Sequence, residues 1–430
     1  MNMPARVLTS QEDSFCTQSN KPLAELIPIT KNTPDKMIRK TYPNIKSFNQ
    51  IPAWFQLLVS EHIKSFKSIE ARDYQIKTVT KALYYFHLGV PSVMIESPTG
   101  SGKTIIGLLI ATFMQQLEGS SVAWVAMRRN LLSQVTRESI KYEFNLRFDA
   151  VSGFQKKADR KDLFILDEAH HEACDTLTRL WGVIKPTFTL GLSATPYRGD
   201  SLQLVFQKSV TEAGIFQLIR DGYLATVEHY TLAHYSPTSV SKLFIKHIDH
   251  FGKSVMFFRT IAECEKAESL LLSAGVTCCV VTGKSNKEQQ IRDFKRGEYQ
   301  VLINMIILTE GFDCPEIETV FVRPSNKGTT AQMVGRVLRK KEGVQKKVVQ
   351  CAATKNPFVK FGPIKTKFMV NKKTLEFEEI KENKLIEETI IAMRRAILGA
   401  EIDVCSINAL SAMAPKKRRR FLLGGMPDGL

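Results

Sequence analysis

No two of the eight cysteines stand in C-x-x-C spacing, which excludes a zinc ribbon or a dithiol redox motif of that form. Those at 16, 174, 264, 278, 279, 314, 351 and 405 read as free thiols of a reducing compartment. No stretch approaches 18 consecutive apolar residues, so there is no candidate membrane span. The first 15 residues lack an apolar segment, and no secretory signal is expected there. Acidic residues are scarce: 43 Asp and Glu face 60 Lys and Arg, a formal charge of +17. That imbalance favours a polyanionic partner; a merely soluble basic protein is the plainer alternative. The rest is ordinary globular composition, 43% hydrophobic and 24% charged, with 430 residues sufficient for two or three domains.

Residues 1–50 mix Pro, Ser, Thr, Asn and Lys without sustained periodicity and read as a flexible arm. From residue 51 to 215 helical and strand-like segments alternate: a helix at 71–88, strands at 92–96, 121–127, 163–167 and 188–193, helices at 104–117 and 130–142. The alternation restarts over 230–365, with strands at 254–258, 276–281, 299–304 and 319–323. This predicts an α/β protein with two tandem, doubly wound, mostly parallel sheets. Residues 366–430 form a charged extension that ends in PKKRRR at 415–420. That run reads as a basic phosphate-binding tail or as a nuclear localisation signal, so the expected setting is cytoplasmic, or nuclear in a eukaryotic source. The lysine-rich stretch 340–373 reads either as part of a nucleic-acid track or as a solvated face.

The strongest local signal is Ser97-Pro98-Thr99-Gly100-Ser101-Gly102-Lys103-Thr104, between a strand and a helix. Glycines let backbone N–H groups wrap phosphates, and the following helix N-terminus favours negative charge. In that pattern Lys103 reaches the β- and γ-phosphates of a nucleotide and Thr104 holds Mg²⁺, although Ser97 stands where the generic pattern has glycine. Further on, Leu163-Phe164-Ile165-Leu166 runs into Asp167-Glu168-Ala169-His170. An apolar strand that ends in two carboxylates suits Mg²⁺ binding by Asp167 and activation of a water by Glu168.

SPTGSGKT, DEAH, LSATP (192–196), TEGFD (309–313) and QMVGRVLR (332–339) occur in the order found in superfamily 2 helicases and translocases. The sequence resembles that superfamily over about residues 55–363, and its loop also begins with a small residue, as Ser97 does here. Arg72-Asp73-Tyr74-Gln75 resembles the glutamine motif that recognises adenine, and VAWVAMRRNLLSQ (122–134) a nucleic-acid-contacting segment. The likeness is strongest to the DEAD/DEAH-type DNA repair and recombination branch. It is weaker to the RNA-directed enzymes, whose last motif usually begins with His where Gln332 stands.

The resemblance implies two RecA-like domains that take ATP and Mg²⁺ in the cleft between them and act on nucleic acid, DNA more than RNA. It implies that Gln75 bonds adenine, where a plain surface-helix glutamine is the alternative. Ser193 and Thr195 would couple the nucleotide and nucleic-acid sites. Gly311, Asp313 and Gln332 would approach the nucleotide from the second domain, and Arg336 and Arg339 would stabilise the γ-phosphoryl group. Arg128, Arg129 and Thr309 would touch the nucleic acid. The short segment 153–162 leaves little room for an insertion many relatives carry, and no zinc ribbon or nuclease carboxylate cluster is evident.

Overall fold

The computed structural model describes residues 42–155, 157–171, 175–194, 206–283, 285–305 and 314–380. The described chain opens with a 3-10 turn, Phe48–Gln50, and helices α1 (Ala53–Lys64) and α2 (Asp73–His87). The first sheet follows: β1 (Ser92–Glu96), α3 (Lys103–Glu118), β2 (Val122–Ala126), α4 (Arg129–Lys141), β3 (Phe148–Ser152), β4 (Leu163–Asp167), α5 (Asp175–Ile184), β5 (Phe188–Ser193) and β6 (Lys208–Val210). Its order is β3-β2-β4-β5-β1-β6, with every pairing parallel. All strands therefore end on one edge, where loops carrying chemistry collect. β2 and β4 are buried at every position, as a sheet covered by helices on both faces requires.

Helix α6 (Ile215–Arg220) leads to the second sheet: β7 (Val227–Leu232), α7 (Pro237–Lys246), α8 (Ile248–Phe251), β8 (Ser254–Phe257), α9 (Ile261–Ser273), β9 (Cys278–Val281), α10 (Lys287–Arg296), β10 (Val301–Asn304), β11 (Thr319–Val322), α11 (Lys327–Val334), β12 (Lys346–Cys351), β13 (Ile364–Val370) and β14 (Phe377–Glu379). The order is β14-β13-β7-β12-β11-β8-β10-β9. Both sheets, apart from Glu379 at the end of β14, belong to one compact unit that ends at Glu378. The α/β, two-lobed, parallel architecture is the one the alternation predicts. Among the described residues, no helix is long and apolar enough to cross a membrane.

Three boundaries differ from the sequence reading. The end of the 1–50 arm is docked: the buried Ile45 donates its N–H to Tyr85 Oη at 2.9 Å, and Tyr42 O accepts from Lys208 Nζ at 3.0 Å. Residues 1–41 lie outside the described residues. The second sheet begins at Val227 and ends at Glu379, so limits at 230 and 365 cut inside β7 and β13. Part of the 366–430 extension is therefore sheet, and 381–430 lies outside the described residues. The lysine stretch is also divided. Lys346 and Lys347 are buried on β12, and Lys346 Nζ donates to the carbonyls of Pro315 and Ile317 at 2.6 and 2.5 Å. An ammonium satisfied by inward carbonyls is structural and is unavailable to a phosphate backbone.

Candidate active site between the two lobes

β1 lies between β5 and β6, and the pairing with β5 continues past the strand end as Ser97 N–H donates to Ser193 O at 2.9 Å. The loop then folds on itself. Ser97 Oγ donates to Ser101 Oγ at 2.6 Å, and Ser101 N–H to Pro98 O at 3.2 Å. Ser101 O accepts twice from α2, from Tyr74 Oη at 2.5 Å and from Gln75 Nε2 at 3.0 Å. Gly102 has φ 80°, and a Cβ there would lie 2.6 Å from Gln75 Nε2. Only glycine meets both conditions.

Of the eight loop residues assigned to the nucleotide, Thr99, Gly100, Gly102, Lys103 and Thr104 line a cavity of about 580 Å³. Ser97, Pro98 and Ser101 are buried within the loop and stiffen it. Gln75 also lines the cavity, but its amide is engaged by protein at both ends. Its Nε2 holds Ser101 O, and its Oε1 accepts from Arg72 N–H at 3.0 Å.

Asp167 and Glu168 reach the cavity from the end of β4. Glu168 has φ 54°, a left-handed backbone uncommon for a residue with a Cβ, and its N–H donates to Asp167 Oδ1 at 3.0 Å. Burial raises the Asp167 carboxyl above its usual range, the adjacent Glu168 charge adds to this, and Lys103 opposes it. Burial lowers Lys103, with Glu168 and Asp167 pulling it back up. Lys103 Nζ donates to Ser97 O at 3.2 Å. The buried Glu168 Oε2 accepts no hydrogen bond, and His170 Nδ1 stands 3.4 Å away. The buried Asp167 and half-buried Glu168 carboxylates line the cavity with Thr104, a hard-oxygen set that fits Mg²⁺.

The second lobe closes the cavity. Asn326 caps α11 by accepting from Thr329 N–H at 2.8 Å, and the turn beyond it brings Gly335 onto the phosphate loop. Arg336 and Arg339 then line the cavity with Lys103, Asp167 and Glu168, joining residues from both lobes at one site. Burial lowers Arg339 to about 10, with Glu138 of α4 opposing, so it remains cationic at neutral pH. Gln332 is not on the cavity wall; its Nε2 stands 3.5 Å from His170 Nε2, which links the lobes beside the site.

Arg128 and Arg129 follow β2 on the same sheet edge, and Arg129 is exposed. Thr195, Thr309, Gly311 and Asp313 lie outside the described residues, so the geometry at those positions is not described. The sequence reading missed Tyr74, Tyr223 and Glu138. Tyr74 Oη holds Ser101 O, while its ring meets Tyr223 edge-on at 5.5 Å and Arg72 lies 4.9 Å over Tyr223. Tyr74 sits inside a quoted motif and could have been found there. Tyr223 and Glu138 carry no local signal.

The family described as "Type III restriction enzyme, res subunit" matches residues 68–153 and 148–198, and the helicase conserved C-terminal domain matches 237–341. A 51.5 kDa protein of a Lactococcus phage is 25% identical over 270 residues, covering 54% of this chain and 59% of its own. The putative ATP-dependent helicase IRC3 of Saccharomyces cerevisiae is 24% identical, covering 66% of this chain and 52% of its own. The DNA 3'-5' translocase XPB2 of Sulfurisphaera tokodaii is 23% identical, covering 64% and 80%. This chain thus spans between about half and two thirds of several curated relatives, at 59%, 63% and 52% of their lengths. Among solved structures, S. cerevisiae Dbp5 bound to RNA and ADP BeF3 superposes with a TM-score of 0.52 at 17% identity, covering 76% of this chain and 96% of that one. Mss116p bound to ssRNA and AMP-PNP gives 0.51 at 16%, covering 68% and 72%. At these identities the superpositions speak for the RecA-like fold alone. With both lobes matched in order and the motif residues of each brought to one cleft, the chain belongs to the superfamily 2 helicases and translocases.

Proposed function

We propose that the chain is a nucleic-acid-stimulated ATPase that converts ATP hydrolysis in the interlobe cleft into movement along DNA. The observation that carries this is the shared cavity, with Lys103, Asp167 and Glu168 on one wall and Arg336 and Arg339 on the other. In this reading Gly100, Gly102 and Lys103 bind the phosphates, while Thr104 and Asp167 hold Mg²⁺ through water. Bound there, the metal would supply neutralisation of phosphate charge. Glu168 orients and deprotonates the attacking water, and the unused Oε2 is a suitable base. Arg336 and Arg339 stabilise charge that develops on the γ-phosphoryl group, so turnover requires the lobes to be together. Cycles of closure and release move one lobe's grip relative to the other.

DNA is favoured over RNA by Gln332 at the head of the last motif and by the DNA translocase among the relatives. The match to a restriction-enzyme subunit family favours a second reading, a motor that tracks duplex without separating strands. Steady-state ATP turnover with single-stranded DNA, duplex DNA, forked DNA and RNA, beside strand displacement on the fork, tests both. Strong stimulation by DNA is expected. Equal turnover with and without every nucleic acid would refute the motor, and DNA stimulation without displacement would select the duplex-tracking reading.

A further inference from the structure

We propose that Phe154 is a base-stacking contact for single-stranded nucleic acid on the first lobe, an assignment that rests on the motor reading. Phe154 is 64% exposed, a large aromatic side chain that packs into no core. Its place is set by the β2–β3 ladder. The parallel register ends at Ala126 opposite Ser152, so Arg128 and Phe154 each follow by two residues a strand that ends on the same sheet edge.

The loop that presents Phe154 is anchored. Gly153 N–H donates to Ala126 O at 2.9 Å, and a Cβ at Gly153 would lie 2.5 Å from Met127 Sδ and 3.2 Å from Leu177 Cδ2. On the far side Gln155 N–H donates to Ser152 O, and Gln155 Nε2 to Lys157 O, both at 2.8 Å. A ring fixed at its base and solvated at its tip loses little entropy when it stacks.

Charge chooses the partner. Arg129, Lys157 and Arg160 are exposed, and Asp159 is the one acid in 153–161, so the segment that carries the ring is net basic. Among the described residues beside it in sequence, the exposed Gln155 and Lys157 are polar. A lone aromatic among cations suits a nucleobase whose flanking phosphates meet the cations, a pairing that tolerates any base.

The test uses the intact chain, a fluorescein-labelled oligothymidylate and an abasic strand of equal length, titrated across a salt series. Phe154→Ala should weaken binding to oligothymidylate by about tenfold and leave binding to the abasic strand unchanged. The salt slope should match the parent, because no phosphate contact is lost. Phe154→Trp should restore affinity, and its emission should be quenched by oligothymidylate but not by the abasic strand. Unchanged affinity of Phe154→Ala, or an equal loss on both strands, overturns the proposal. Unchanged affinity together with an altered sedimentation coefficient would assign the ring to a protein contact instead. Failure of the parent chain to bind either strand overturns the motor reading and this proposal with it.

Discussion

Gly335 of the arginine-bearing turn and Thr99 of the phosphate loop stand so close that a Cβ on Gly335 would lie 2.8 Å from Thr99 Cβ. The constraint is the approach of the two lobes and not backbone strain, because Gly335 is in the ordinary right-handed region at φ −54°. An added methyl also meets Ala331 O at 3.1 Å, a backbone atom that cannot turn aside.

Gly335→Ala should therefore act on the closed cleft. Overpacking of this kind costs on the order of 1–3 kcal/mol, a loss of roughly tenfold or more in turnover. Nucleotide affinity of the first lobe should change much less. Thr99→Gly in the Gly335→Ala background should recover part of the loss. Additive effects of the two substitutions would place the residues apart in the working state.

Three substitutions should separate the roles at the cavity. Lys103→Ala removes a phosphate ligand and should weaken ATP binding as well as turnover. Glu168→Gln keeps size and removes the base, so ATP should still bind while hydrolysis nearly stops. Arg336→Ala should spare binding and cost on the order of 10³-fold in rate, about 4 kcal/mol of barrier. Nucleotide affinity and DNA-stimulated turnover of each variant check this. Retention of more than about a third of turnover by Arg336→Ala would exclude a site shared by the lobes.

Tyr74→Phe keeps the ring in its cluster and removes the hydroxyl that holds Ser101 O. Net stability should fall by about 1 kcal/mol, and ATP affinity should fall because the loop loses one of its two anchors on α2. Urea unfolding beside nucleotide titration reads both. Unaltered nucleotide affinity would mean that Gln75 holds the loop alone.

Burial lowers the ammonium of Lys346 from 10.5 to about 8. The unfolded chain then binds the proton more tightly than the folded one, so this group makes stability rise as pH goes from about 8 to 10.5. Lys346→Met should remove that rise and, at neutral pH, cost about 1–3 kcal/mol by orphaning the carbonyls of Pro315 and Ile317. Thermal unfolding of both chains across pH 7–10.5 is the check, and an undiminished slope in Lys346→Met would place the titration elsewhere.

That Gly100, Gly102, Lys103, Asp167 and Glu168 share one cavity wall was legible because phosphate chemistry demands fixed residue types: glycines that wrap, a lysine that reaches, paired carboxylates at a strand end. The surroundings of Gln332 were less legible. Its motif signals proximity to the site but not which partner the amide finds, and here that partner is His170. β12 was hidden because Lys346 and Lys347 read as part of a nucleic-acid track or of a solvated face, whereas both are buried and Lys346 is received by backbone carbonyls. The docking of residues 42–50 was equally hidden. Three apolar side chains, Tyr42, Ile45 and Phe48, and bonds to Tyr85 and Lys208 are too short a run to make a sustained periodic signal. Glu138 lies mid-helix, and its place opposite Arg339 depends on how two lobes far apart in sequence meet.

Tyr74 lies on a helix of the first lobe, yet its ring is buried with Leu218, Leu224 and Val337 in the apolar cluster of the second, while its hydroxyl holds the phosphate loop. One side chain thus joins loop order to lobe position. If the lobes separate, Tyr74 must abandon either its apolar neighbours or Ser101. In the proposed motor, reciprocity of binding would then require that whatever nucleic acid gains in affinity when ATP orders the loop, ATP gains by the same factor when nucleic acid draws the lobes together.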